Sequence, residues 1–166
     1  MADLQLSRSQ TDRRLYVLDG VGTLRFEGFF SRKATADADG ARWRFARTGF
    51  WGRRIEAIDA EGTPVGEFLP HSLRRGGTIR WAGRELVIRP ASVWRERYAL
   101  AQGEHELAVL DGKSWGKRPV SISLDDPNAV EPGLLLFAAF VVRGLAEDAA
   151  GAATVAASTA SAGGGG

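Results

Sequence analysis

The feature that most constrains this fold is an uninterrupted run of nine apolar residues near the end of the chain, residues 134–142. Successive helical residues are rotated by about 100°, so nine of them cover every side of a helix and leave no face for water. A bilayer needs about 20 apolar residues, and Arg143 and Glu147 close this run far short of that length. Pro132 suits the first position of a helix. We therefore predict a helix over about residues 132–147 that is buried inside the domain.

The preceding chain has the pattern of short antiparallel strands joined by tight turns. In "ARWRFAR", Trp43 and Phe45 share one face and Arg42 and Arg44 share the other, so we expect the two aromatic residues to face the core. About ten runs of this kind occur, with no helical pattern between them, which favours an antiparallel meander or barrel over a parallel α/β sheet. Dipeptides that end in glycine separate the runs, because glycine supplies the positive φ of tight turns. These dipeptides are Asp19-Gly20, Asp39-Gly40, Glu61-Gly62, Gly76-Gly77, Ala82-Gly83, Gln102-Gly103 and Asp111-Gly112.

The predicted strands and the apolar helix are consistent with one fold, in which the strands enclose the helix. A closed barrel of ten or more strands is too wide for its own side chains to fill. An apolar helix that must be enclosed would fill it, so the sequence predicts a mainly β fold, a closed barrel around the C-terminal helix. We place this domain at residues 14–148, after a flexible segment over residues 1–13. Residues 149–166 are small and uncharged, which predicts a disordered tail.

Composition limits the possible partners and compartment. Between Arg42 and Arg97 there are twelve arginines and six acidic residues, although the formal net charge of the whole chain is only +2. This half could face an anionic partner, or its arginines could occupy the solvent faces of strands. Cysteine is absent, which excludes disulfides and thiolate metal sites. The first residues lack the apolar segment of a secretory signal, so we expect a cytoplasmic protein.

Two short motifs suggest chemistry but fail on their context. "GKSWG" matches the G-x-S-x-G of serine hydrolases around Ser114, yet a strand pattern follows it and both histidines precede it. "DADG" resembles the start of a calcium loop, but Thr48 stands where the twelfth-position glutamate is needed. We therefore predict no catalytic residue, no metal site and no cofactor. A hydrolase that uses Ser114 is the weakest of the alternatives.

The order of these elements resembles the tubby C-terminal-like superfamily, which includes the LURP-one-related proteins and the phospholipid scramblases. The resemblance covers about residues 15–146. It is carried by "RWRFARTGFWGRRIEAIDAEGTPVGEF", then "ELVIRPASVWRERYALAQGEHELAVL", then "LLLFAAFVVR". It implies a closed barrel of about twelve strands around a central helix. It also implies a non-enzymatic binding or scaffold protein that associates with membrane lipids, since the tubby branch binds anionic phosphoinositide headgroups.

Two arginine-rich loops form the candidate lipid site. "GFWGRR" places Trp51 beside Arg53 and Arg54, and "HSLRRGG" contains Arg74 and Arg75. Arginine suits phosphate because its planar guanidinium donates two hydrogen bonds at once. If the loops meet, the four arginines would form one anion site with an aromatic tip at the headgroup layer. Alternatively, the aromatics pack into the barrel and the arginines are solvated.

A nucleic-acid-binding barrel is the main alternative function. Arginines that alternate with Trp43, Trp51, Trp81 and Trp94 would combine backbone contacts with base stacking. The lipid interpretation predicts a monomer in the cytoplasm that contacts anionic phospholipid at the inner face of the membrane. The sequence identifies no protein partner.

Overall fold

The computed structural model describes residues 1–28, 32–49 and 53–162, with side chains described as far as residue 159. It is a closed barrel of twelve antiparallel strands with one long helix. The strands are β1 (Ala2–Arg8), β2 (Leu15–Leu18), β3 (Gly22–Phe26), β4 (Lys33–Ala38), β5 (Ala41–Thr48), β6 (Arg54–Asp59), β7 (Pro64–Pro70), β8 (Gly77–Trp81), β9 (Arg84–Pro90), β10 (Arg97–Gln102), β11 (His105–Gly112) and β12 (Val120–Leu124). The helix is α1 (Pro132–Ala162). This architecture confirms the predicted fold class.

Strand β1 closes the barrel. Each strand pairs with its neighbours in sequence, and β1 also pairs with β12, with Ala2 opposite Leu124 and Leu6 opposite Val120. The N-terminal segment that we expected to be flexible is therefore an ordered strand over residues 2–8. The reason is that β2 and β12 would otherwise present two unpaired edges, and β1 satisfies both while it buries Leu6 completely.

The barrel has two ends of different construction, because an antiparallel meander returns to the same end at every second connection. At one end, which we call the hairpin end, the connections are residues 19–21, 39–40, 60–63, 82–83 and 103–104. The linker 125–131 leads into α1 from this same end. At the other end, which we call the exit end, the loops are residues 9–14, 27–32, 49–53, 71–76, 91–96 and 113–119. Two of the hairpins place a non-glycine residue at positive φ, Asp39 at 49° and Ala82 at 48°, each followed by glycine.

The inward faces of the strands form the core, as the alternation predicts. Phe45 is completely buried, and its ring centroid lies 5.1 Å from that of Phe137 on α1. Trp43 is half-buried and packs against Trp81, with ring centroids 6.1 Å apart. The intervening Arg44 is exposed. The predicted orientation of the "ARWRFAR" strand is therefore confirmed.

Helix α1 enters the barrel at the hairpin end and leaves it at the exit end. Residues 134–142 are at most 3% exposed on every side of the helix, which confirms the predicted enclosed helix. At its start, a Cβ on Gly133 would lie 2.7 Å from the Trp43 ring and 2.8 Å from the Trp81 ring. Nine residues further along, Val142 packs against Gly112 at the end of β11. Within the part of the chain that is described, no helix has both the length and the apolar character needed to cross a bilayer.

The helix extends further than its apolar run. We expected it to end near residue 147, with a disordered tail from residue 149, but α1 continues to Ala162. Residues 151–159 are exposed, so packing does not hold this extension in place. Alanine has the highest helix propensity, and a helix already nucleated inside the barrel adds alanine-rich turns at little cost. Composition alone therefore misjudged the local structure of residues 149–162.

Candidate anion-binding surface

The two ends of the barrel carry opposite charge. The six exit-end loops contain ten arginines and lysines against three acidic residues. The hairpin-end connections and the linker 125–131 contain seven acidic residues and no arginine or lysine. The ten exit-end cations are Arg13, Arg14, Arg32, Arg53, Arg74, Arg75, Arg95, Lys113, Lys117 and Arg118. The exit end is therefore the surface that would attract an anionic partner.

The same end exposes large apolar side chains. Trp94 is 94% exposed, Leu73 is 96% exposed and Trp115 is 78% exposed, each on a different exit-end loop. Val93 is exposed beside Trp94. Single exposed apolar residues are ordinary, but these lie at one end of the barrel, on loops that also carry arginines and lysines. A surface of this composition suits the boundary between headgroups and acyl chains, where tryptophan is enriched.

The structure brings together only part of the predicted arginine cluster. Arg53 and Arg75 line one cavity of about 650 Å³ beside the point where α1 leaves the barrel. Arg54 is turned away, to the outer face of β6, where its Nη2 donates to Glu67 Oε2 at 2.5 Å. Arg74 is exposed on its loop and forms no ion pair with a described residue. Trp51 lies outside the described residues.

Arg75 is held by a network rather than left free for a ligand. Its Nη2 donates to Glu96 Oε1 at 2.7 Å and to the Tyr98 hydroxyl at 3.3 Å. The Tyr98 hydroxyl in turn donates to Glu96 Oε2 at 2.6 Å. Burial, followed by the hydrogen bond to Glu96, raises the pKa of Tyr98 to about 12. Arg75 therefore contributes to the structure of the loop around residues 91–96 as well as to the charge of the exit end.

A second cavity at the exit end is more strongly basic, and we call it the arginine cavity. It has a volume of about 490 Å³ and lies between the loop 9–14, the end of β3 and the emerging helix. No acidic residue of the described chain lines it. The described residues that line it are Arg8, Arg13, Arg14, Tyr16, Phe26, Gly28 and Arg143.

Arg143 anchors the arginine cavity on its helix side. Its guanidinium carbon lies 4.0 Å from the centre of the Phe26 ring and 5.1 Å from that of Tyr16, so the cation rests on aromatic faces. Its Nη2 lies 3.3 Å from Glu147 Oε1, one turn further along α1. Its Nη1 is buried and has no hydrogen-bond partner among the described residues. A buried donor without an acceptor is costly, and such groups are uncommon in folded proteins.

Ion pairs fix the helix where it leaves the barrel. Arg47 donates from Nη1 and Nη2 to the two carboxylate oxygens of Asp148, both at 3.1 Å, and only 13% of the Arg47 side chain is exposed. Gly144 allows this approach, because a Cβ there would lie 2.4 Å from Arg47 Nη2. Burial raises the pKa of Glu147, and the charges of Arg143 and Arg47 oppose that rise. The exit end therefore holds α1 by specific charged contacts.

Sequence reasoning missed the arginine cavity and the exposed apolar loops. Arg8 and Arg13 fall in the segment that we expected to be flexible, Arg14 is the first residue of the expected domain, and Arg143 is more than 100 residues away in the chain. One signal in the sequence could have revealed the basic end, because successive connections of a meander alternate between the two ends of the barrel. Even without a structure, every second loop of a meander belongs to the same end, and sorting the loops in this way separates the charges.

The alternative functions receive little support from the geometry. Trp81 is buried and Trp43 packs against it, so neither is available to stack on a base, whereas Trp94 is exposed. Ser114 lies on the exposed loop 113–119, and its hydroxyl forms no hydrogen bond with a described residue.

No family model, curated protein or solved structure matches this chain.

Proposed function

We propose that this protein binds anionic phospholipid surfaces through its exit end and acts as a non-catalytic, tubby-like binding or scaffold protein at the inner face of a membrane. The observation that carries the proposal is the coincidence, on one end of the barrel, of ten loop cations with the exposed side chains of Leu73, Trp94 and Trp115. The resemblance to the tubby C-terminal-like superfamily supports it independently.

Two physical effects would act together at this surface. A basic residue close to an anionic membrane contributes about 1 kcal/mol, so a few of the loop cations would give a substantial attraction. The tryptophan rings and Leu73 would add apolar burial at the boundary of the acyl chains. The opposite, acidic end would be repelled by the same membrane, which orients the barrel with its exit end towards the lipid.

The emerging helix is compatible with this orientation. Residues 149–162 leave the barrel at the same end and carry no charged side chain. They would therefore approach the headgroup layer without the cost of desolvating a charge. Arg143, Glu147 and Asp148 stay at the mouth of the barrel, where ion pairs neutralise them in part.

Vesicle co-sedimentation tests the proposal. We expect binding to phosphatidylcholine vesicles that contain phosphatidylserine, weak binding to pure phosphatidylcholine, and loss of binding as the Debye length falls to about 8–10 Å and below. The Trp94→Ser, Trp115→Ser double variant should bind the anionic vesicles several-fold more weakly with an unchanged melting temperature, because both side chains are exposed.

Other outcomes decide against the proposal. Equal binding to neutral and anionic vesicles would remove the electrostatic basis, and an unchanged affinity of the double tryptophan variant would remove the apolar basis. Tight, salt-sensitive binding to single-stranded DNA without binding to anionic vesicles would instead support the nucleic-acid alternative.

A further inference from the structure

The arginine cavity concentrates positive charge that the described residues neutralise only in part, through the ion pair of Arg143 with Glu147. The side chains of Arg8, Arg13 and Arg14 form no ion pair or hydrogen bond with any residue in the described ranges 1–28, 32–49 and 53–162, although Asp12 lies in the same loop. The Asp12 carboxylate is engaged elsewhere. It accepts hydrogen bonds from the Arg14 backbone N–H at 2.9 Å and from the guanidinium of Arg25. These two contacts lower the pKa of Asp12, and the charges of Arg25 and Arg14 lower it further.

Arg143 gives the cavity a fixed donor. Its side chain is only 14% exposed, and the Phe26 and Tyr16 rings and Glu147 hold it in place. Glu147 lies near Nη2, and the buried Nη1 has no acceptor among the described residues. A guanidinium that is already immobilised loses little further entropy when it binds a ligand. The cavity therefore presents an immobilised guanidinium beside the side chains of Arg8, Arg13 and Arg14.

We propose that the arginine cavity is a binding site for a phosphate monoester, with Arg8, Arg13, Arg14 and Arg143 as its ligands. A phosphate monoester carries close to two negative charges at neutral pH and has three strong acceptor oxygens, which match four guanidinium groups. A phosphodiester carries one charge and a carboxylate has two oxygens, so both match the cavity less well. The exposed Arg13 and Arg14 of the loop 9–14 would contact the phosphate from one side and Arg143 from the helix side.

The source of the phosphate is either a lipid headgroup or a soluble compound. If it is a lipid, the inference rests on the proposed function and deepens it, because the cavity opens at the end of the barrel that would face the membrane. If it is soluble, the cavity is a separate site. The shared chemistry is the terminal phosphate.

Titration calorimetry of the full chain with inorganic phosphate and with pyrophosphate, at constant ionic strength, tests the site. We expect saturable binding that strengthens from pH 5.5 to pH 7.5, because both anions lose a further proton and gain negative charge over this range. Arg13→Gln, Arg14→Gln should weaken the binding at least tenfold. The matched control is Arg53→Gln, Arg74→Gln, which removes the same charge from the same end of the barrel outside the cavity and should change the affinity less than twofold.

Two results would overturn the proposal. One is the absence of saturable binding to either anion, and the other is equal weakening by the two double variants, which would show diffuse screening instead of a site. Arg143→Gln is a further variant, used only if its melting temperature shows that it folds. The two double variants of the loop arginines change only exposed side chains, so we expect both to fold, and the test does not depend on Arg143→Gln.

Vesicle binding shows whether the phosphate comes from a lipid or from a soluble compound. It also distinguishes the cavity proposal from the proposed membrane binding of the exit end. Phosphatidic acid carries a phosphate monoester and phosphatidylserine does not. A lipid source predicts a preference for phosphatidic acid at equal vesicle charge. Arg13→Gln, Arg14→Gln should abolish this preference, while it weakens binding to phosphatidylserine only as far as the loss of two of the ten loop cations requires. A soluble source predicts phosphate binding without that preference. Failure to bind any anionic vesicle would refute the proposed function but not the cavity.

Discussion

The two ends of this barrel are formed by the same twelve strands, yet they differ in loop length, charge and exposed side chains. The hairpin end has connections of two to four residues between strands, and Gly133 allows α1 to enter against Trp43 and Trp81. The exit end has loops of five to seven residues that carry cations and exposed tryptophans. Short, tightly packed turns serve stability, and longer loops on a rigid scaffold are where binding residues accumulate. This difference is the reason why we place the proposed function at the exit end.

The largest expected effect contrasts the two halves of α1. Leu136→Asp should prevent folding, because Leu136 is fully buried inside the barrel and an unpaired carboxylate is too costly to bury there. Val155→Asp, on the same helix beyond the exit end, should leave the melting temperature unchanged, because Val155 is 64% exposed. Circular dichroism and size-exclusion chromatography measure both results. A soluble, cooperatively folded Leu136→Asp protein would show that the barrel does not depend on an enclosed helix.

The second effect compares charge reversals at the two ends. Arg53→Glu, Arg74→Glu at the exit end should weaken binding to anionic vesicles by about 2 kcal/mol or more, roughly 30-fold, at about 1 kcal/mol per basic residue lost. Arg42→Glu, Arg84→Glu near the hairpin end changes the net charge by the same amount and should weaken binding less than threefold. Equal losses in the two variants would mean that net charge, and not its location, determines binding.

The third effect compares two glycines of α1. Gly133→Ala should destabilise the protein by about 1–3 kcal/mol, because the new Cβ would overlap the Trp43 and Trp81 rings and force them to move. Gly151→Ala meets nothing within 4 Å, and it should increase the helical circular dichroism signal without loss of stability, since alanine favours the helix by up to about 1 kcal/mol. Denaturant titration measures the loss of stability in the Gly133→Ala variant. Equal stabilities for the two variants would contradict the tight entry of α1 at the hairpin end.

The smallest effect is a pH dependence at the exit end. Because burial raises the pKa of Glu147, the folded state binds its proton more tightly than the unfolded state does. Its contribution to stability is present below the unfolded pKa of about 4.5 and is lost as the pH rises through the raised pKa of the folded state. Wild-type protein should therefore lose stability relative to Glu147→Gln as the pH rises from 4 towards 7. Parallel stability curves for the two proteins over this range would contradict the raised pKa.

Sequence reasoning predicted the scaffold better than the surface. The alternation of Trp43 and Phe45 with arginines identified the inward face, and the apolar run identified the enclosed helix, because both depend on local periodicity. The strand β1 was missed, although its Leu4 and Leu6 alternate with polar residues, because the segment is short and lies at a terminus. The tail was misjudged because its composition was weighed for burial and not for helix propensity.

The candidate site shows why surface predictions were only partly successful. Arg53 and Arg54 are adjacent in sequence, and we grouped them together. Arg54 begins β6, and the pairing of β6 with β7 brings its guanidinium to Glu67, while Arg53 remains on the loop beside Arg75. The local sequence pattern does not show which strands pair, and it is this pairing that separates Arg54 from Arg53.

The sequence by itself determined the elements: which segments form strands, which faces point inward, that one helix must be enclosed, and which loops carry charge. The tertiary structure decided how distant residues meet. Closure of β1 on β12 and the depth to which α1 enters the barrel bring Arg8 and Arg143 to one cavity. The same insertion buries Arg143 Nη1, which has no acceptor within residues 1–28, 32–49 and 53–162. The physical reason is that periodicity and propensity act over a few neighbouring residues, whereas barrel closure and helix insertion are set by the packing of the whole core.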